Sequence, residues 1–132
     1  MSQPAADRLR LEIIDAGRRL HDKGLITASQ GNISVRTSRG LLVTASGVSK
    51  GALTPSLILD TDFEGRASGP AGVSSEIQMH VAIYQRRPDA RAIVHAHPPS
   101  ATAFAVTGAP LDPPADEPLA VHDRHDHLRV RC

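Results

Sequence analysis

Cysteine is nearly absent from these 132 residues: the one present, Cys132, stands at the last position. An intrachain disulfide framework is therefore excluded. Aromatic residues are scarce at 2%, with no tryptophan and only Phe63, Tyr84 and Phe104. The core has to be built from Leu, Ile, Val and Ala. A charge excess is also missing: 15 Lys+Arg face 14 Asp+Glu, a formal net charge of +1. That balance argues against a nucleic-acid or membrane-surface binder, which carries a basic excess on one face. No window approaches the roughly 18 apolar residues of a membrane-spanning helix. Met1 to Ala5 shows no basic segment leading into an apolar run, so no signal peptide is read and the expected location is cytoplasmic. Lysine is rare as well, Lys23 and Lys50 being the only two.

What is present is enough for one domain with one core. Leu9, Ile13, Ala16 and Leu20 recur at helical period and predict a helix over about residues 5–23, with Asp7 as a plausible N-cap and Gly24 as the stop. Ile33 to Arg36 alternates apolar and polar residues, as a half-buried strand does. Thr37 to Gly40 is turn chemistry, and Leu41 to Val43 forms the second arm of a hairpin. Leu57 to Asp62 reads as a further strand closed by a turn at Glu64-Gly65. Ser74-Ser75-Glu76 opens a second helix, with Ile77, Val81 and Tyr84 as its buried stripe and Pro88 at its end. Ala92 to His95 is a buried-type strand, and residues 101–106 form a short helix. Interleaved strands and helices with a hairpin define an α/β or α+β class with a mixed sheet. After Asp112 no amphipathic period survives, and the His-, Asp- and Arg-rich text of residues 113–132 predicts a poorly ordered tail.

Three constellations can carry chemistry. In a strand, alternate side chains share a face, so His95 and His97 point the same way and can chelate one divalent ion, zinc being the leading choice for nitrogen ligands. Taken alone, the His-x-His pair is short, and surface histidines carry the same text. The hydroxyls and free N–H groups of Ser74 and Ser75 at a helix start suit an anion, and Glu76 beside them could move protons; an ordinary helix cap reads the same way. The loops Ser29-Gln30-Gly31-Asn32 and Thr44-Ala45-Ser46-Gly47 could turn backbone N–H groups toward a phosphate, though each by itself is plain turn chemistry. His80 lies one helical turn after Glu76, and is read as a structural histidine rather than a partner of the site. No G-x-S-x-G elbow is present, and Cys132 has no neighbouring acid–base partner.

In order along the chain, Gly24 to Arg36, Thr44 to Val48, Ser74-Ser75-Glu76, Ile83 to Asp89 and Ala92 to Ala103 resemble the class II aldolase/adducin family, which includes L-fuculose-phosphate aldolase and L-ribulose-5-phosphate 4-epimerase. The resemblance spans about residues 5–112 as one domain. It implies a three-layer α/β/α fold on a largely antiparallel sheet, incomplete at its C-terminal side. It also implies a zinc ion on His95 and His97, Glu76 as catalytic acid/base, and a substrate phosphate held by Ser29, Asn32, Ser46, Gly47, Ser74 and Ser75. The implied reaction is retro-aldol cleavage of a sugar phosphate through a metal-stabilised enediolate. Alternatives are a 4-epimerase or dehydratase of the same family, or a non-catalytic adducin-like domain. Homotetramers are implied too. Ala45 and Val73 depart from the family, which commonly has proline at both places. The family's third histidine ligand falls beyond Cys132, so low activity is expected of this chain unless His122, His125 or His127 replaces it.

Overall fold

Four short strands pair side by side in a computed structural model that describes residues 3–67 and 72–109. Helix α1 (Gln3–Asp22) leads into the hairpin β1 (Asn32–Arg36) and β2 (Leu41–Thr44). Two 3-10 turns, Lys50–Ala52 and Pro55–Leu57, precede β3 (Ile58–Thr61). Then come α2 (Ile77–Arg86), β4 (Ala92–His95) and α3 (Pro99–Thr107). The sheet order is β3-β2-β1-β4, and all three pairings are antiparallel.

Both faces of the sheet are covered, and the pleat decides which side chain goes where. Leu41, Val43 and Ile93 turn to one face and pack against Ile77, Val81 and Tyr84 of α2. Ile33 and Leu42 turn to the other, where Ile13 of α1 meets them with Leu53 and Ile58. Leu9, Ala16 and Leu20 complete the stripe of α1 against that cluster. The result is the α/β/α layering with an antiparallel sheet that the motifs imply.

Three local expectations are corrected. Asp7 lies within α1, which starts at Gln3, so it is not the N-cap. Helix α2 starts at Ile77; Glu76 is its N-cap residue, and the Ser74 hydroxyl accepts from the Glu76 N–H at 3.3 Å rather than capping a helix that opens at Ser74. The alternation in β1 does not mark a solvent face either. Ser34 is fully buried because α2 covers it: its hydroxyl bonds His80 Nδ1 at 2.7 Å and the Tyr84 hydroxyl at 2.9 Å. A buried polar residue needs such partners, and α2 supplies both one turn apart.

The stop at Gly24 stands, with a left-handed φ of 65° and its N–H on the His21 carbonyl at 2.9 Å. Helix α3 runs longer than read and buries none of its residues. Among the described residues no helix is long and apolar enough to cross a membrane. The tail 113–132, with His122, His125, His127 and Cys132, lies outside the described residues.

Candidate metal centre

The register of β1 against β4 sets the site. Asn32 is paired with His95 and Ser34 with Ile93, so Asn32 and His95 leave the sheet on the face that α2 covers. Gly31 makes this register possible. Its φ is 69°, and a Cβ there would stand 2.5 Å from the His95 carbonyl oxygen. No side chain fits such a gap, so only glycine lets the loop into β1 lie against the end of β4.

From that edge Asn32 reaches across to the start of α2. It is 2% exposed, and its amide nitrogen donates to Glu76 Oε2 at 2.7 Å and to Ser74 Oγ at 3.2 Å. Both amide protons are thereby used. Glu76 Oε2 also lies 3.2 Å from His95 Nδ1. The alignment there is not that of a hydrogen bond, and the buried Nδ1 has no hydrogen-bond partner. The rings of His95 and His97 stand 4.7 Å apart, tilted by 42°. One donor atom from each of Glu76, His95 and His97 falls within 4.8 Å of the others. Two imidazoles and one carboxylate at that spacing, with an orphaned ring nitrogen among them, fit a divalent cation of borderline softness. The two histidines read from the sequence are thus joined by a third donor, Glu76.

Behind this cluster His80 is fully buried. Its pKa is lowered to about 4, chiefly because burial disfavours the charged ring and further because His95 is near; the Glu76 carboxylate opposes the shift. His80 is therefore a neutral strut that ties α2 to Ser34, as the structural reading has it.

The remaining sequence-derived positions divide. Ser74 joins the cluster through Asn32 and the Glu76 N–H. Ser46 is attached through its backbone, its N–H donating to the Gly72 carbonyl at 2.9 Å. Gly47 adopts a left-handed φ of 71° and borders open space. Ser29 and Ser75 have exposed side chains. Ala45 and Val73, the two departures from the family, face each other in an isolated antiparallel bridge.

Lys50 is a residue that motif reading passed over. It is 2% exposed, and its ammonium donates to the carbonyl oxygens of Ser29 at 3.0 Å and Val48 at 2.7 Å. Burial lowers its pKa, and the charge of Glu76 works against that shift. The available signal was its rarity: in a chain with only two lysines, one stands three residues after Gly47 of the Ser46-Gly47 loop.

Fold and cluster together define an α/β domain with a two-histidine, one-carboxylate centre at a helix start. The profile of the Class II Aldolase and Adducin N-terminal domain matches residues 11–130, and the chain belongs to that family. The match runs past Asp112, where the motif-level resemblance ends. A 5-methylthioribulose-1-phosphate/5-deoxyribulose-1-phosphate aldolase of Rhodospirillum rubrum is 43% identical over 103 residues, 78% of this chain and 47% of the relative. A methylthioribulose-1-phosphate dehydratase of Pseudoalteromonas translucida is 38% identical over 95 residues, 71% of this chain and 45% of the relative. The crystal structure of an L-fuculose-1-phosphate aldolase from Thermus thermophilus superposes with a TM-score of 0.65 at 45% identity, covering 75% of this chain and 51% of that one. The chain spans about half the length of the curated relatives it matches.

Proposed function

We propose that Glu76, His95 and His97 hold a zinc ion and that this site cleaves a ketose 1-phosphate by retro-aldol chemistry. The observation that carries the reading is the convergence of these three donors within 4.8 Å, beside a buried His95 Nδ1 that lacks any other partner. Bound zinc supplies Lewis acidity that stabilises negative charge developing on the substrate's oxygens.

The chain's own residues supply the rest. In cleavage the hydroxyl on the carbon that becomes the aldehyde gives up its proton as the carbon–carbon bond breaks, and Glu76, as general acid/base, returns a proton to the carbon next to the carbonyl. Asn32, donating to Oε2, fixes the direction of the carboxylate. The open helix start behind Glu76 adds the favourable end of the helix dipole. Ser29, Asn32, Ser46, Gly47, Ser74 and Ser75 are assigned to the phosphate, whose anchoring lowers the entropic part of the barrier.

A dehydratase is the second reading, supported by the Pseudoalteromonas relative. There the same carboxylate removes the proton next to the carbonyl and hydroxide leaves from the following carbon, so a carbon–oxygen bond breaks in place of the carbon–carbon bond. The experiment measures zinc content and then incubates the loaded chain with a panel of ketose 1-phosphates, following aldehyde release and water loss separately. Zinc uptake with aldehyde release supports the aldolase. Water loss without aldehyde moves the assignment to the dehydratase. Zinc uptake with neither product points to a non-catalytic domain, and absence of zinc uptake removes the metal centre itself.

A further inference from the structure

Among the described residues Lys50 is the one buried Lys or Arg. No carboxylate stands within ion-pair distance of its ammonium there, and its two hydrogen-bond acceptors are neutral carbonyls. A buried cation without a counter-ion is costly, so its position calls for a reason. Its backbone is pinned as well: the Lys50 carbonyl lies against α1 so closely that a Cβ on Gly17 would approach its oxygen to 2.6 Å.

The two carbonyls belong to different loops. Ser29 lies in the loop that leads into β1, next to Ala28, whose φ of 48° is a left-handed conformation that alanine rarely adopts. Val48 lies in the loop that leaves β2. The second loop is joined onward by Ser46 N–H to the Gly72 carbonyl and by the bridge of Ala45 with Val73. That segment continues to Ser74, which Asn32 holds, and Asn32 ends the first loop. Lys50 therefore closes a circuit through all three segments that carry the serines, asparagine and glycine assigned to the phosphate.

We propose that Lys50 is a positioning residue for a phosphate monoester: it sets the spacing of the Ser29 and Ser46-Gly47 loops and stands as the buried positive charge behind them. The inference rests on the reading of these loops as a phosphate site. A dianion bound in front of the loops adds counter-charge to that of Glu76, whose carboxylate acts on Lys50 without pairing with it. Its ammonium carries three protons, two of which the carbonyls use.

The test uses the full chain with inorganic phosphate as the probe, measured by titration calorimetry, with zinc affinity measured in parallel. Lys50→Met removes charge and donors. Lys50→Gln keeps an amide donor for the carbonyls while removing the charge, and serves if the methionine variant does not fold. Lys50→Arg restores the charge. Loss of the charge-assisted term is expected to weaken phosphate binding about tenfold or more in the first two variants and to leave zinc affinity within about twofold. Lys50→Arg is expected to recover most of the phosphate affinity. Folded Lys50→Gln that binds phosphate as the parent does would overturn the proposal and leave Lys50 a structural clip. Absence of phosphate binding in the parent chain would instead overturn the phosphate reading of the loops, and this inference with it.

Discussion

Asn32 Nδ2 donates to Glu76 Oε2 at 2.7 Å across 44 positions of sequence, and the two side chains meet only because β1, β4 and α2 converge. Asn32 was read as a phosphate ligand. Its shortest bond is to the carboxylate proposed as acid/base, so its first effect is on Glu76. Replacing it with alanine removes the donor that holds the carboxylate in place. In Asn32→Ala, zinc binding is expected to weaken, because the Glu76 carboxylate loses the donor that orients it. Two lost hydrogen bonds of the buried amide should also lower stability by roughly 1–3 kcal/mol. Zinc titration, with denaturant unfolding alongside, checks both.

The three donors are expected to contribute unequally to different readouts. A His95→Ala/His97→Ala double variant should lose zinc uptake altogether, because a lone carboxylate does not retain the ion. Glu76→Gln should keep a weakened zinc site and lose turnover, because the amide cannot move the proton. Metal analysis after dialysis, paired with the product assay, separates these outcomes. Full zinc uptake in the double variant would place the ion elsewhere.

Stability is expected to fall below neutral pH through His80. In the folded chain its pKa is about 4, against 6.5 for an ordinary histidine. Between those values the unfolded chain binds more protons. The contribution is therefore complete above about pH 6.5 and is drained as pH falls to about 4, where roughly 3 kcal/mol has been lost. His80→Gln should flatten that part of the profile. Urea unfolding at a series of pH values measures it, and an unchanged slope in the variant would assign the loss to other groups.

Gly31→Ala should be among the most damaging single changes. It forces a left-handed φ on alanine and drives a methyl toward the His95 carbonyl, 2.5 Å away. A loss of roughly 2–4 kcal/mol is expected, together with weaker zinc binding as β4 shifts against β1. Chemical unfolding with an unchanged m-value would confirm the stability term. Zinc titration reports whether His95 has moved.

Much of the layering was legible because it follows from short-range period. The Leu9, Ile13, Ala16 and Leu20 stripe of α1 packs as read, and so do Ile77, Val81 and Tyr84 of α2. The hairpin and β4 were legible for the same reason. Ser34 was not: a strand that alternates apolar and polar residues looks half-solvated until a second helix arrives with His80 and Tyr84 to satisfy the polar row. The start of α2 was misplaced because Ser74 is a capping residue by type, while the chain uses it two positions early, to accept from Asn32 and from Glu76 N–H.

In the candidate site the same division holds. His95-Ala96-His97, Glu76 after two serines, and glycines in small polar loops are patterns a few residues long. Backbone periodicity determines which side chains in them can share a face, so the donor types and the likeness to a family were legible from the residues alone. Packing of the elements against one another brings Glu76 to the two histidines, Asn32 to Glu76, and Lys50 between the Ser29 loop and the Val48 loop. Each of those contacts except that of Lys50 with Val48 closes over a long stretch of chain. Such contacts depend on strand register and on a helix packed across the sheet, and no local pattern encodes the distance between two elements before they have docked.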